Sequence, residues 1–190
     1  MPLGIDDVYA NALYGLLSDL TDDSPDLPGA IRWLEVAWSN SVSVTVEARI
    51  LALRAGFDVL FGGADTRTIR TRLSALLDPP DAPRLPREWD DHGQHRGPFE
   101  LTEIEWWFQS FALLRNKIAH GGQLAPEEYD FDDGVHHVWH AEFNLRRAIK
   151  KTVADAGHPE VLLDPFERLA LRFGELQLED LPEEEDPRAL

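Results

Sequence analysis

The chain has 190 residues, a formal net charge of −17, 43% hydrophobic residues and no cysteine. That length suits one domain, or one domain with terminal decorations, and the apolar fraction together with six tryptophans excludes a disordered chain. The missing cysteines exclude disulfides, thiol nucleophiles and thiolate zinc sites, and the acidic balance opposes unaided nucleic-acid binding, which is driven by Lys and Arg displacing counterions.

In chain order, Ile5, Val8, Tyr9, Ala12, Leu13, Leu16, Leu17 and Leu20 form a helical stripe, with Asp6 and Asp7 in the first turn where the helix dipole favours acids. A docking helix is expected. It lacks a basic leader and its apolar residues are periodic, so it reads as neither a signal peptide nor a membrane span; no membrane partner and a cytoplasmic location are expected. Residues 21–28, TDDSPDLP, read as a Pro-broken link. Trp33, Leu34, Ala37 and Trp38 suggest a second helix. The alternation in 41–46, SVSVTV, has the period of a strand, but Val46, Ile50, Leu53, Phe57 and Leu60 continue at helical spacing, so a helix is preferred from there to Phe61. Gly62 and Gly63 end it, and Asp65 or Thr66 opens the next, with Ile69, Leu73, Leu76 and Leu77 inward.

Residues 78–98 hold five prolines and two histidines and read as the longest loop. Thr102 and Glu105 form a capping-box pattern. From there Ile104, Trp107, Phe108, Phe111, Leu114 and Ile118 trace the buried face of a helix, and Arg115 falls in that stripe. An always-charged guanidinium among apolar groups requires a partner. Gly121 and Gly122 end the helix and put His120 at its C-terminus. Residues 123–134 form an acidic loop, Val138 to Val153 a further long helix closing near Gly157, and Asp164, Pro165 and Glu167 start a short one reaching about Phe173. The tail 175–190 carries seven acids against one arginine, leaving −11 on the rest. The expected organisation is a docking helix and linker over 1–28, a helical bundle over 29–174 and a disordered acidic tail over 175–190. The fold class is all-α, with five or six helices and no sheet.

Arg115, Asn116, Lys117, Ile118, Ala119 and His120, followed by glycine, resemble the signature of the HEPN superfamily: Arg, often followed by Asn, Asp or His, then a few residues, then His. Residues 48–77 are also similar to the long second helix, Gly turn and Arg-bearing helix of the Apea-like branch, with Asp58 standing where relatives often carry Glu. The resemblance covers about residues 30–155. It implies a HEPN-like helical bundle and a metal-independent endoribonuclease of toxin or phage-defence type that needs no cofactor. Its partners would be RNA, a second copy of the chain and an antitoxin or regulatory protein. In the implied chemistry a base takes the proton of a ribose 2′-hydroxyl, which attacks the adjacent phosphate while an acid protonates the leaving 5′-oxygen. Histidine suits both tasks and arginine suits the charged phosphorane-like state. Arg115 and His120 would be catalytic and Asn116 supporting. Because ~500° of ideal helix separates their positions, leaving ~140° net, the pair does not share a face within one helix. A two-fold dimer bringing two Arg and two His to one cleft resolves this. The non-catalytic alternative is a HEPN-like binding or scaffolding module, in which Arg115 pairs with Glu47 or Asp58 and His120 caps a helix.

Asp58 and Glu47 are candidate supports for Arg115; the plainer reading is an intrahelical Arg54–Asp58 ion pair. Arg146, Arg147, Lys150 and Lys151 form the densest basic cluster, suited to RNA phosphates or to the dipole at a helix end. His136, His137 and His140, with His92 and His95, have metal-like spacing, but the Glu of an HExxH site is absent and surface histidines without metal are preferred. Trp33, Trp38, Trp106 and Trp107 are expected in the core rather than stacking on bases.

Overall fold

The computed structural model describes residue 12 and residues 25–38, 44–91 and 93–162. The expected N-terminal helix apart from Ala12, the short helix after Asp164 and the acidic tail lie outside the described residues. Two compact units are present: Pro25–Ile149, and a second formed by Met1–Ser24 with Lys150–Leu190.

In the first unit, α1 spans Leu27–Trp38. It starts inside the expected linker, because Asp26 Oδ1 accepts a hydrogen bond from the Gly29 amide at 2.8 Å and Pro28 sits in the first turn, where no amide is needed. Helix α2, Val46–Leu60, is capped by Thr45, whose hydroxyl accepts from the Ala48 amide at 3.2 Å. Val44 and Thr45 are not helical, so the alternating stretch contributes a cap; its residues 41–43 are not described. Gly62 and Gly63 end α2 with φ of 73° and 68°. Asp65 then caps α3, Thr66–Leu77.

The expected long loop is instead a β-hairpin, so the described fold is mostly helical with one two-stranded sheet rather than all-α. Strand β1, Leu85–Asp91, pairs antiparallel with β2, Gln94–Leu101, from Leu85 opposite Leu101 to Asp91 opposite Gln94, with an irregularity between Arg87 and Trp89. Proline argues against strands because it withholds a ladder donor. In a two-stranded sheet every strand is an edge, and Pro86 and Pro98 are accommodated there. Helix α4, Glu103–Ala119, follows directly, and a 3-10 turn at Pro126–Tyr129 leads to α5, His137–Asp155, which continues into the second unit.

The core of the first unit is aromatic and centred on α2 and α4. Phe57 meets the Phe108 ring edge-on at 5.2 Å, and Trp107 stacks on Phe111 at 5.5 Å. Ile50, Leu53, Ile69, Leu73 and Leu145 complete it with no exposed surface. Helix α5 comes close to α2 because Gly56 has no side chain; a Cβ there would lie 2.7 Å from Leu145. Of the four tryptophans expected inside, Trp107 is buried and Trp106 half-buried, whereas Trp33 and Trp38 are about 40% exposed. In the second unit Lys151 pairs with Asp155 at 3.3 Å, and Val161 is buried in a 3-10 turn at Pro159–Leu162. Among the described residues no helix is long and apolar enough to cross a membrane.

Candidate functional site

The start of α4 is fixed by a complete capping box. Thr102 Oγ1 accepts from the Glu105 amide at 3.2 Å, and Glu105 Oε2 accepts from the Thr102 amide at 3.0 Å. Glu105 is buried and its charge is compensated by Arg84. The far end of α4 closes as a Schellman motif: the Gly121 amide donates to the Ile118 carbonyl at 2.9 Å and the Gly122 amide to Lys117 at 2.9 Å. Gly121 adopts the required left-handed turn at φ 72°, and nothing lies near enough to obstruct it. His120 is thereby held at the C-cap, solvent-exposed, one turn beyond Asn116.

Arg115 is half-buried. Its Nη1 donates to Asn116 Oδ1 at 3.1 Å, while its Nε is closed from solvent without a partner. The carboxylates expected beside it are engaged elsewhere. Asp58 accepts from Arg54 Nε at 2.9 Å, with the Arg54 guanidinium 5.0 Å from the centre of the Phe108 ring. Glu47 accepts from the Tyr129 hydroxyl, which holds its carboxyl below the usual range and pushes the Tyr129 phenol up. The intrahelical pair is therefore present, and among the described residues Arg115 has no carboxylate partner.

A cavity of about 530 Å³ lies along α4 on the side away from Arg115. Ser110, Leu113, Leu114, Asn116, Lys117 and His120 form one wall; Asp90 and Asp91, near the hairpin tip, form another. Glu128 and His137 close it. Lys117 Nζ donates to Glu128 at 2.5 Å, which with the Ala125 amide keeps the Glu128 carboxyl below its usual range. Asp90 lies 3.7 Å from His95 and Asp91 lies 3.9 Å from Arg96, both on the hairpin. The structure thus brings Asn116 and His120 together on this cavity and leaves Arg115 linked to it through Asn116.

The histidines expected on the surface behave differently. His137 is 4% exposed and packed beside Phe111 and Phe131, and its Nδ1 is closed from solvent without a hydrogen-bond partner. Burial, reinforced by His140 and His136, pushes its pKa down to about 4, so it is neutral at pH 7. His140 lies 2.9 Å from Asp133, and His136 stacks on Tyr129 at 5.6 Å. His95 lies 3.2 Å from Glu88; His92 is outside the described residues. No group of three or more His, Asp or Glu positioned for a metal occurs among the described residues.

The basic cluster is dispersed around α5. Arg146 lies over the Trp38 ring at 3.4 Å, and Arg147 donates to the Leu77 carbonyl at 3.4 Å. Lys151 is engaged with Asp155, and Lys150 is exposed. Sequence reasoning missed Asp90, Asp91, Ser110, Lys117, Glu128 and His137 as cavity walls. The available signal was Gly93, whose φ of 76° forms the turn between Trp89 and Phe99, two aromatic residues facing each other at 5.1 Å. Comparisons with protein-family models, with curated proteins and with solved structures find no match for this chain.

Proposed function

We propose that the protein is a metal-independent endoribonuclease of the HEPN type, acting as a toxin or in phage defence, with a composite site at a two-fold dimer. The observation that carries this reading is the state of Arg115: a guanidinium with five donors, beside Asn116, makes one hydrogen bond and has no carboxylate partner among the described residues. With Nε closed from solvent, its remaining Nη donors suit a phosphate that gains charge during reaction. His120 is exposed at the C-cap of the same helix, where its imidazole is open to a substrate oxygen. Within one helix the two residues project ~140° apart. A second copy is therefore required to place an Arg opposite a His, and two copies supply both the base and the acid.

In this mechanism one His120 accepts the 2′-hydroxyl proton, the ribose oxygen forms a bond to phosphorus, and the 5′-oxygen leaves with a proton from the partner's His120. Arg115 from each copy neutralises the non-bridging oxygens, and Asn116 holds Arg115 in place. The products are a 2′,3′-cyclic phosphate and a 5′-hydroxyl.

One observation favours a second reading, a non-catalytic binding module. The cavity rim carries Asp90, Asp91 and Glu128 against Lys117, so phosphate is disfavoured at that rim. The deciding experiment is cleavage of labelled single-stranded RNA in EDTA, at matched dimer content. Arg115→Ala and His120→Ala are expected each to lower the rate by about 100-fold or more. A folded dimer that leaves RNA intact would overturn the ribonuclease and leave the binding module.

A further inference from the structure

Helices α3 and α4 meet along a line of polar contacts. Ser74 Oγ lies 3.3 Å from Thr102 Oγ1, and one turn back along α3 Arg70 Nη1 donates to Gln109 Oε1 at 2.9 Å. Between these contacts Glu105 accepts from the Thr102 amide and from Arg84, which reaches in from just before the hairpin. The hairpin itself supplies Trp89, whose ring lies 5.9 Å from the Arg70 guanidinium.

Arg70 is 7% exposed, yet its hydrogen bond is to a neutral amide and no carboxylate touches it among the described residues. Its Nε is closed from solvent without a partner, whereas Nη2 is neither sealed nor bonded. An always-charged fork held in the interior with donors to spare calls for an anion. Burial holds this guanidinium below the usual arginine range; Glu105 opposes that effect, and Arg67 and Arg84 reinforce it. Arg67 is exposed and stands three residues before Arg70, on the same face of α3. Three guanidiniums thus act on one another with a single carboxylate among them, in a chain where acids outnumber bases by 35 to 18.

Charge and shape decide what fits. A cation is repelled, and a neutral ligand leaves the positive excess uncompensated. A carboxylate presents its oxygens in one plane, the role Glu105 already fills for Arg84. A phosphate directs oxygens several ways, so one ion can meet donors arriving from different elements.

We propose that Arg70, with Arg67 and Arg84, forms a phosphate-binding site at the junction of α3, α4 and the hairpin. Arg70 donates from the interior through Nη2, Arg67 and Arg84 approach from the surface, and Gln109 and Trp89 hold the Arg70 fork in place. The phosphate is a free ion or one group of a nucleic-acid strand, which present the same oxygens. The site is separate from Arg115 and does not rest on the ribonuclease reading.

The test titrates full-length 15N-labelled protein with inorganic phosphate, at an ionic strength held constant with chloride, and follows the Arg70 Nε–H and Trp89 indole N–H signals. Phosphate is expected to give saturable shifts that chloride does not. Arg67→Glu, at an exposed position where the fold is not at risk, is expected to weaken phosphate by about tenfold. Arg70→Lys, which keeps the charge and loses the planar fork, should weaken it at least as much. No saturable shift at tens of millimolar phosphate, equal shifts with chloride, or an affinity unchanged in either variant would overturn the site. A 2′-deoxy oligonucleotide, which 2′-hydroxyl attack cannot cut, distinguishes the sources: competition with inorganic phosphate for these shifts assigns the site to a strand, and its absence assigns it to the free ion. RNA cleavage without a phosphate shift loses this site alone. A phosphate shift without cleavage loses the nuclease alone.

Discussion

Thr102 shows how much one hydroxyl can hold in this protein. It accepts the Glu105 amide, lies 3.3 Å from Ser74 Oγ and is buried, so its loss leaves the α4 amide unpaired in the interior. Thr102→Ala is expected to lower stability by about 1–2 kcal/mol, read as a lower denaturation midpoint with an unchanged slope. His137 makes a second, pH-dependent prediction. Its folded pKa of about 4 lies below the unfolded value of about 6.5, so between those limits the unfolded chain binds a proton that the folded chain refuses. Stability from this group is fully present above about pH 6.5 and falls as the pH is lowered to about 4, by on the order of 3 kcal/mol in all. Denaturant titrations across that window should show a shallower loss in His137→Phe than in wild type; equal slopes would mean the ring is not desolvated. At this scale the capping box and the Arg54–Asp58 pair were legible in the sequence, because both are set by spacings of three and four residues on one helix. The burial of His137 was not, since it depends on Phe131 and Phe111, brought together from different elements.

At the scale of elements, the hairpin sets the far wall of the cavity, and its attachment runs through aromatic contacts. Trp89 lies 5.1 Å from Phe99, 6.3 Å from Trp106 on α4, and 5.9 Å from the guanidinium of Arg70 on α3. Arg87 adds a contact over the Trp106 ring at 5.4 Å and an ion pair with Asp132 at 3.4 Å. Trp89→Ala removes the shared contact, so amide exchange over residues 85–101 should speed up markedly while α2 and α4 keep their protection. If α2 and α4 lost protection to the same degree, the hairpin would be part of the cooperative core rather than an appended wall. The helices were legible because their stripes persist over several turns, start at the caps Asp65 and Thr102 and stop at Gly62 and Gly121. The hairpin was concealed by its prolines and by strands facing solvent on most positions, which leaves no clear apolar alternation for the eye or for a periodicity count.

For the whole molecule, acidity and proposed substrate pull in opposite directions. A net charge of −17 repels RNA at long range, so in the proposed site the local groups at Arg115 and His120 must supply the attraction. In the proposed composite site, the angular separation of Arg115 and His120 along α4 assigns catalysis to two copies, and activity is expected to fall on dilution below the dimer dissociation constant. The motif itself was readable as a run of six residues; that Arg115 is left without a carboxylate while Asp58 and Glu47 are taken by Arg54 and Tyr129 emerged only from the folded arrangement. The chemistry of the cut ends separates the proposed ribonuclease from any other origin of cleavage. RNA incubated in EDTA with wild-type dimer, with Arg115→Ala and with His120→Ala would be analysed for its termini. Wild type alone should yield 2′,3′-cyclic phosphate and 5′-hydroxyl ends, with none at a site carrying a single 2′-deoxy substitution. Cleavage that survives both substitutions, or that proceeds at the 2′-deoxy site, would contradict it.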